Sequence, residues 1–255
     1  MLYDTQPEIT RTAIANIRKN LELSVEQGRL SSFEKENALS RIEAVGDFRQ
    51  LQVELAIEAV VEKLEVKQKI VGELEKLNAQ DCIMVSNAAL FPITLIASGL
   101  RHKARFAGLH FFNPPPNVHL VEIVQAASTD QRTIDTLKSF ALSISKTSVV
   151  VNDSPGFIVN RISRLFYLES LRLVEDGVTD FKTVDVLCKT TGFGQGPFES
   201  MDHQGIDANL AVTACLYEAF YYEQRYRPSR IQQMKADAGQ NGKKSGKGFY
   251  EYGEQ

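Results

Sequence analysis

His110 and Glu122 stand twelve residues apart in a stretch, 106–124, that is otherwise mostly apolar. An imidazole changes charge near neutral pH. A carboxylate on its second nitrogen fixes the tautomer, orients the ring and stabilises the imidazolium once a proton has been taken. Such a pair is a general base. The segment between them, Asn113-Pro114-Pro115-Pro116-Asn117, is a stiff turn, so the runs on either side can lie close. A histidine near the end of an apolar strand serves packing more often than catalysis, and residue type alone leaves both readings open. His102 and His119 sit in turn-like surroundings, and His203, within Ser200-Met201-Asp202-His203-Gln204, reads as an exposed loop residue. No two of the four histidines have metal-ligand spacing, so no metal site is expected.

The elements that must position these groups follow from periodicity. The short apolar, β-branched runs 53–60, 82–86, 106–112, 120–124 and 147–151 read as strands. Between the first two, residues 64–77 place Val66, Ile70, Leu74 and Leu77 on one helical face. Residues 9–27 carry Ile14, Ile17, Leu21 and Val25 at helical spacing, with Gly28 as the stop. Strand alternating with helix predicts a mostly parallel sheet covered by helices. In such sheets ligands bind beyond the carboxyl ends of the strands. That rule gathers Asp4, Glu62, Ser86, Asn87 and His110 on one rim. At Asp153-Ser154-Pro155-Gly156 the pattern changes: Ser154 is placed to cap a helix that starts at Pro155, runs to about residue 176 and stops at Gly177. This helix is apolar around much of its circumference, which predicts burial in a core or against another copy of the chain. Helical patterns continue to about residue 222.

With 43% hydrophobic and 24% charged residues in 255, the composition is ordinary for a globular protein and excludes disorder and coiled coil. No apolar run approaches the roughly 18 residues that span a bilayer, and MLYDTQPEIT is not a secretion signal. Cys82, Cys188 and Cys215 are odd in number, without CxxC, and read as reduced thiols of a cytoplasmic protein. A net charge of -3 argues against nucleic acid as a partner. GFGQGPF, starting at Gly192, reads as a rigid bend. GKKSGKG, starting at Gly242, lacks P-loop spacing and reads as a basic tail, mobile or in contact with phosphates.

Four segments in this order, FAGLHFFNPPPNVHLVEIV, SPGFIVNRI, GPFESMD followed by GID, and GKKSGKGFYEY, resemble the NAD-dependent L-3-hydroxyacyl-CoA dehydrogenases, including the 3-hydroxybutyryl-CoA enzymes. The resemblance covers nearly the whole chain. It implies oxidation of the 3-hydroxyl of an acyl-CoA to a ketone, with hydride passing to NAD. It also implies that His110 takes the hydroxyl proton, that Glu122 pairs with it and that Asn160 positions the substrate. Asn87 would lie against substrate and cofactor, Asp4 would bind the adenosine ribose, and Glu62, Lys67 and Lys244 would be cofactor contacts. The family's helical domain implies a homodimer.

The fold class expected is α/β: an incomplete Rossmann-like, mostly parallel sheet domain over residues 1–151, then a smaller all-helical domain over 152–255 carrying substrate and dimer contacts. It is incomplete because the family's ribose acid follows a G-x-G-x-x-G turn by about 20 residues. Here that acid is residue 4, and none of the 16 glycines supplies the turn. Met1 is therefore expected to be internal to a longer product, the chain alone binding NAD weakly, with little or no activity and a tendency to aggregate through two exposed strand edges. Ser86-Asn87-Ala88-Ala89 also departs from the family's SNTS. The missing hydroxyl would cost about 1–3 kcal/mol of binding or transition-state stabilisation. The alternative is a non-enzymatic, dimeric structural or acyl-CoA-binding derivative of the same family. A dehydrogenase of sugar or hydroxy acids fits the HFFNP segment less well.

Overall fold

In Ile83–Ser86 and Phe106–Phe111 residues of both parities are apolar, so a sheet built from them must be covered on both faces. The computed structural model describes residues 1–253 and shows how this is done. Strands β1 (Leu55–Glu58), β2 (Ile83–Ser86), β3 (Phe106–Phe111), β4 (Leu120–Gln125) and β5 (Thr147–Asn152) lie in sequence order across one sheet. The pairs β1–β2, β2–β3 and β4–β5 are parallel, and β3–β4 is antiparallel. The antiparallel register sets His110 directly opposite Glu122.

Helices α1 (Pro7–Glu26) and α2 (Ser32–Ser40) precede the sheet. Gly28, at φ +67, ends α1. Helix α2 buries no residue, and apolar spacing does not mark it. Its signal is a capping box, in which Ser31 and Glu34 exchange hydrogen bonds. Helices α3 (Leu64–Leu77), α4 (Ile93–Ile96) and α5 (Gln131–Ser143) cover the sheet. Val71, Leu74, Ile93 and Ile96 pack with Met84, Phe106 and Val124 on one face; Ile134, Leu137 and Ala141 pack with Val85, Leu109 and Ile123 on the other. Each such side chain contributes about 1.5–3 kcal/mol of hydrophobic stabilisation. A Cβ on Gly108 would come within 2.8 Å of Ile93 and Val124, so glycine is what lets α4 lie against the sheet. Leu2 and Ala44 form an isolated parallel bridge outside the five strands, and β1 is an edge strand with Ile57 44% exposed.

Beyond β5 follow α6 (Val159–Glu175), α7 (Phe181–Thr190), α8 (Pro197–Gln204), α9 (Ile206–Ala219) and α10 (Arg230–Asp237). Leu168, Leu171, Val184, Phe198, Met201, Ile206 and Phe249 form their shared core. Of the expected 152–255 domain, Glu254 and Gln255 lie outside the described residues.

Three expectations are corrected here. Helix α6 starts at Val159, because Ser154 to Phe157 is spent on a turn closed by the Phe157 N–H on the Ser154 carbonyl. The helix is buried on one side only: Ile158, Ile162 and Leu165 face outward while Arg164 is buried. Arg164 is held by the Asn209 carbonyl and side chain, by Thr213 and by the Tyr167 ring, and burial pushes its guanidinium down to about 10. His203 is exposed but sits on α8, not in a loop.

The C-terminal tail is fastened down. Buried Asp202 accepts the Phe249 and Tyr250 amides and the Tyr252 hydroxyl, and Asp185 accepts the Tyr250 hydroxyl. Burial pushes the Asp185 carboxyl up, against the pull of the amides it accepts. Among the described residues no helix is long and apolar enough to cross a membrane, and no cluster of three or more His, Cys, Asp or Glu is placed to hold a metal ion.

Candidate active site

On adjacent strands the antiparallel register places directly opposed side chains on the same face, and His110 and Glu122 are such a pair. His110 Nδ1 lies 2.8 Å from Glu122 Oε2, and both side chains are buried. With Nδ1–H donating to the carboxylate, the Nε2 lone pair is the ring's free proton acceptor. The rings of Phe112 and Phe157 wall the imidazole at 4.6 and 5.6 Å between centroids. The other oxygen of Glu122 crosses to the helical part of the chain, where Oε1 accepts the amides of Ile158 and Val159, each at 3.0 Å. An imidazole, the carboxylate that orients it and a helix start are thus one hydrogen-bonded unit.

Asn87 follows directly after β2, beside this pair. Its Oδ1 accepts the Phe111 N–H at 3.0 Å, which pins it next to His110 and leaves its amide NH2 for a ligand. Glu62 Oε1 accepts the amides of Ala89 and Leu90 and so shapes the loop after Asn87. Its Oε2 meets the Lys67 ammonium at 3.0 Å. Lys67 and Glu62 are therefore brought together, at the carboxyl ends of β1 and β2.

The residue that organises this corner, Glu58, is one that sequence reasoning passed over. Wholly buried, it binds Lys67 Nζ at 2.9 Å, the Ser86 hydroxyl at 2.5 Å and the Val60 N–H at 2.7 Å. Its signal was present: a carboxylate inside the apolar run 53–61, nine residues before a lysine. The same pairing turns α3, so that Lys67 and Val71 are buried with Leu74, while Val66, Ile70 and Leu77 are only half-buried.

Asn160 is half-buried in the first turn of α6, next to the two amides that bind Glu122. Asp4 is half-buried after the Leu2 bridge. Its Oδ1 accepts the Gln6 N–H at 2.8 Å, and Oδ2 is left for another donor. Lys244 stands apart. Its ammonium meets Asp207 on α9 at 2.7 Å, and no described contact joins it to the dyad or to Lys67. Burial raises and the ammonium lowers the Asp207 carboxyl; the ammonium, with the nearby amides, wins and holds it below the ordinary value.

Comparison with known proteins identifies the family of both parts of the chain. Residues 1–154 match the family model for the 3-hydroxyacyl-CoA dehydrogenase NAD binding domain, and residues 156–252 match that for its C-terminal domain. The chain is 37% identical to a 3-hydroxyadipyl-CoA dehydrogenase of Escherichia coli over 99% of its own length and 54% of that protein's. It is 33% identical to the mitochondrial hydroxyacyl-coenzyme A dehydrogenase of Sus scrofa, covering 95% of this chain and 81% of the relative. The crystal structure of a 3-hydroxybutyryl-CoA dehydrogenase from Escherichia coli K12 superimposes with a TM-score of 0.95 at 37% identity, over 100% of this chain and 54% of that one. An (S)-3-hydroxybutyryl-CoA dehydrogenase from Ralstonia eutropha gives 0.94 at 29% identity, over 99% and 89%. The chain thus spans about half the length of the Escherichia coli relative. Both halves of the chain match, and the buried His110–Glu122 pair sits where they meet: the chain belongs to the 3-hydroxyacyl-CoA dehydrogenase family.

Proposed function

We propose that the protein interconverts an L-3-hydroxyacyl-CoA and the 3-ketoacyl-CoA with NAD, using His110 as the general base. The observation that carries this reading is the buried 2.8 Å contact between His110 Nδ1 and Glu122, which leaves Nε2 as the proton acceptor. The sheet part, residues 1–151, holds the cofactor, and residues 152–255 provide substrate and dimer contacts.

The polar groups at the strand ends fit part of a dinucleotide, while the G-x-G-x-x-G turn that would meet its pyrophosphate is not among these residues. Asp4 Oδ2 is free to accept from a ribose hydroxyl, and Glu62, Lys67 and the Asn87 amide lie beyond β1 and β2, where such ligands bind. NAD bound there supplies the hydride acceptor. The chain's own residues do the rest. Asn87 and Asn160 orient the acyl-CoA, and His110 Nε2 takes the 3-hydroxyl proton. Glu122 stabilises the imidazolium that forms and, in the reverse direction, holds the ring that returns the proton. Walls of Phe112 and Phe157 exclude water from the ring, which strengthens the pairing. Ala89 offers no hydroxyl to the substrate, which points to a preference or rate different from that of relatives with serine there.

The test is to supply NAD and L-3-hydroxybutyryl-CoA and follow NADH. NADH formation that saturates only at high NAD is expected, since these residues include no G-x-G-x-x-G turn for the pyrophosphate. Acyl-CoA binding without any NADH formed would overturn the reading and leave a binding protein.

The outward face of α6 is the surface for a homodimer. Ile158, Ile162 and Leu165 recur at helical spacing, with Ile162 66% exposed. Ile162→Asp is expected to shift the protein from dimer to monomer in sedimentation at micromolar concentration; an unchanged dimer would place the interface elsewhere. Three free thiols, Cys82, Cys188 and Cys215, fit a reducing, cytoplasmic compartment.

A further inference from the structure

We propose that the Pro155-Gly156-Phe157 turn aims Glu122 at His110, with Gly156 as a positioning residue for proton transfer; this rests on the general-base reading above. The first amides of a helix have no partner within it and need one from outside. No side chain at the start of α6 caps them. Glu122, reaching across from β4, accepts the Ile158 and Val159 amides on Oε1. That oxygen is then held in place, and Oε2 is left facing His110 Nδ1.

Presenting those amides takes an unusual backbone. Gly156 has φ +72 and Phe157 has φ +49, two successive residues in the left-handed region that side chains disfavour. Space is as tight as conformation: a Cβ on Gly156 would stand 2.7 Å from Leu216 of α9. Phe157, once turned this way, is buried with its ring against the imidazole. The turn therefore sets both the carboxylate and one wall of the histidine.

The test uses the full chain and two readouts: the downfield proton resonance of the His110 Nδ1–H, assigned by its loss in His110→Gln, and kcat against KM. Gly156→Ala is expected to broaden or shift that resonance and to lower kcat at least about tenfold, with KM within about twofold. Leu216→Ala, which opens space at a fully buried site and lowers stability without altering the turn's own residues, is expected to leave both unchanged. In that roomier background Gly156→Asn, which tolerates the left-handed region, is expected to keep the resonance, and Gly156→Val to lose it. This second pair decides the matter should Gly156→Ala fail to fold. A resonance and kcat indifferent to Gly156→Ala, or equal for the asparagine and valine variants, would overturn the positioning role alone. Turnover that survives His110→Gln would instead overturn the general-base reading beneath it.

Discussion

Replacing His110 with glutamine is expected to lower kcat for 3-hydroxyacyl-CoA oxidation by about 10²–10⁴-fold, the usual contribution of a positioned base. Glutamine is close to histidine in size, so contacts with Phe112 and Phe157 are largely kept, and its amide can still donate to Glu122 Oε2. What it lacks is a nitrogen able to take and return a proton. The loss should therefore fall on kcat, with NADH affinity within about twofold in a fluorescence titration. The effect is large because no second base is in reach: among the described residues, Glu122 is already committed to two amides and to the imidazole. Turnover within a few-fold of the parent would show that another group takes the proton.

Glu58→Ala is expected to lower the unfolding free energy by about 3–5 kcal/mol in chemical denaturation. The carboxylate is the acceptor for Lys67 Nζ, the Ser86 hydroxyl and the Val60 amide in a corner closed to solvent. Without it, an ammonium that is only 1% exposed keeps the more exposed Glu62 as its remaining carboxylate. Taking a charge out of water costs several kcal/mol, and the pair tolerates that cost only because each partner satisfies the other. Combining Glu58→Leu with Lys67→Met is accordingly expected to cost clearly less than the sum of the two single changes, since no unpaired charge is then left inside. Single-variant losses below about 1 kcal/mol would mean that water reaches the pair. Because Lys67 is also a proposed cofactor contact, through its pairing with Glu62 at the strand ends, the double variant is expected to recover stability without recovering NADH affinity.

The strands are legible in sequence because most of their residues are apolar, with Ile, Val or Phe recurring in each short run. Helix α3 is legible to the residue at both ends. Its buried face is not, since Lys67 is polar by type and becomes interior only through Glu58, a partner on another element. Helix α6 shows the opposite case. Its apolar circumference suggests burial in a core or against another copy of the chain, and Ile162 is left outward, yet Arg164 takes an interior position by finding acceptors on α9. The start of the same helix is misread because Ser154-Pro155 is a strong local cap signal, while the group that caps α6 is a glutamate 36 residues earlier in the chain.

His110, Asn87 and Glu62 could be drawn together from sequence because residues at the carboxyl ends of neighbouring parallel strands share one rim, whatever their separation along the chain. Glu122, inside β4, which runs antiparallel to β3, is joined to His110 by the stiff turn between them. The chain by itself singled out His110, Glu122 and a mostly parallel sheet, since these depend on residue type and on short apolar runs; it left packing and proton transfer both open for the histidine. Only the tertiary structure decided that Glu122 also caps α6, that Glu58 holds Lys67, and that Lys244 is paired with Asp207. Those are contacts between elements. A hydrogen bond lasts inside a protein when burial excludes water from it, and burial is a property of packing that local periodicity does not record.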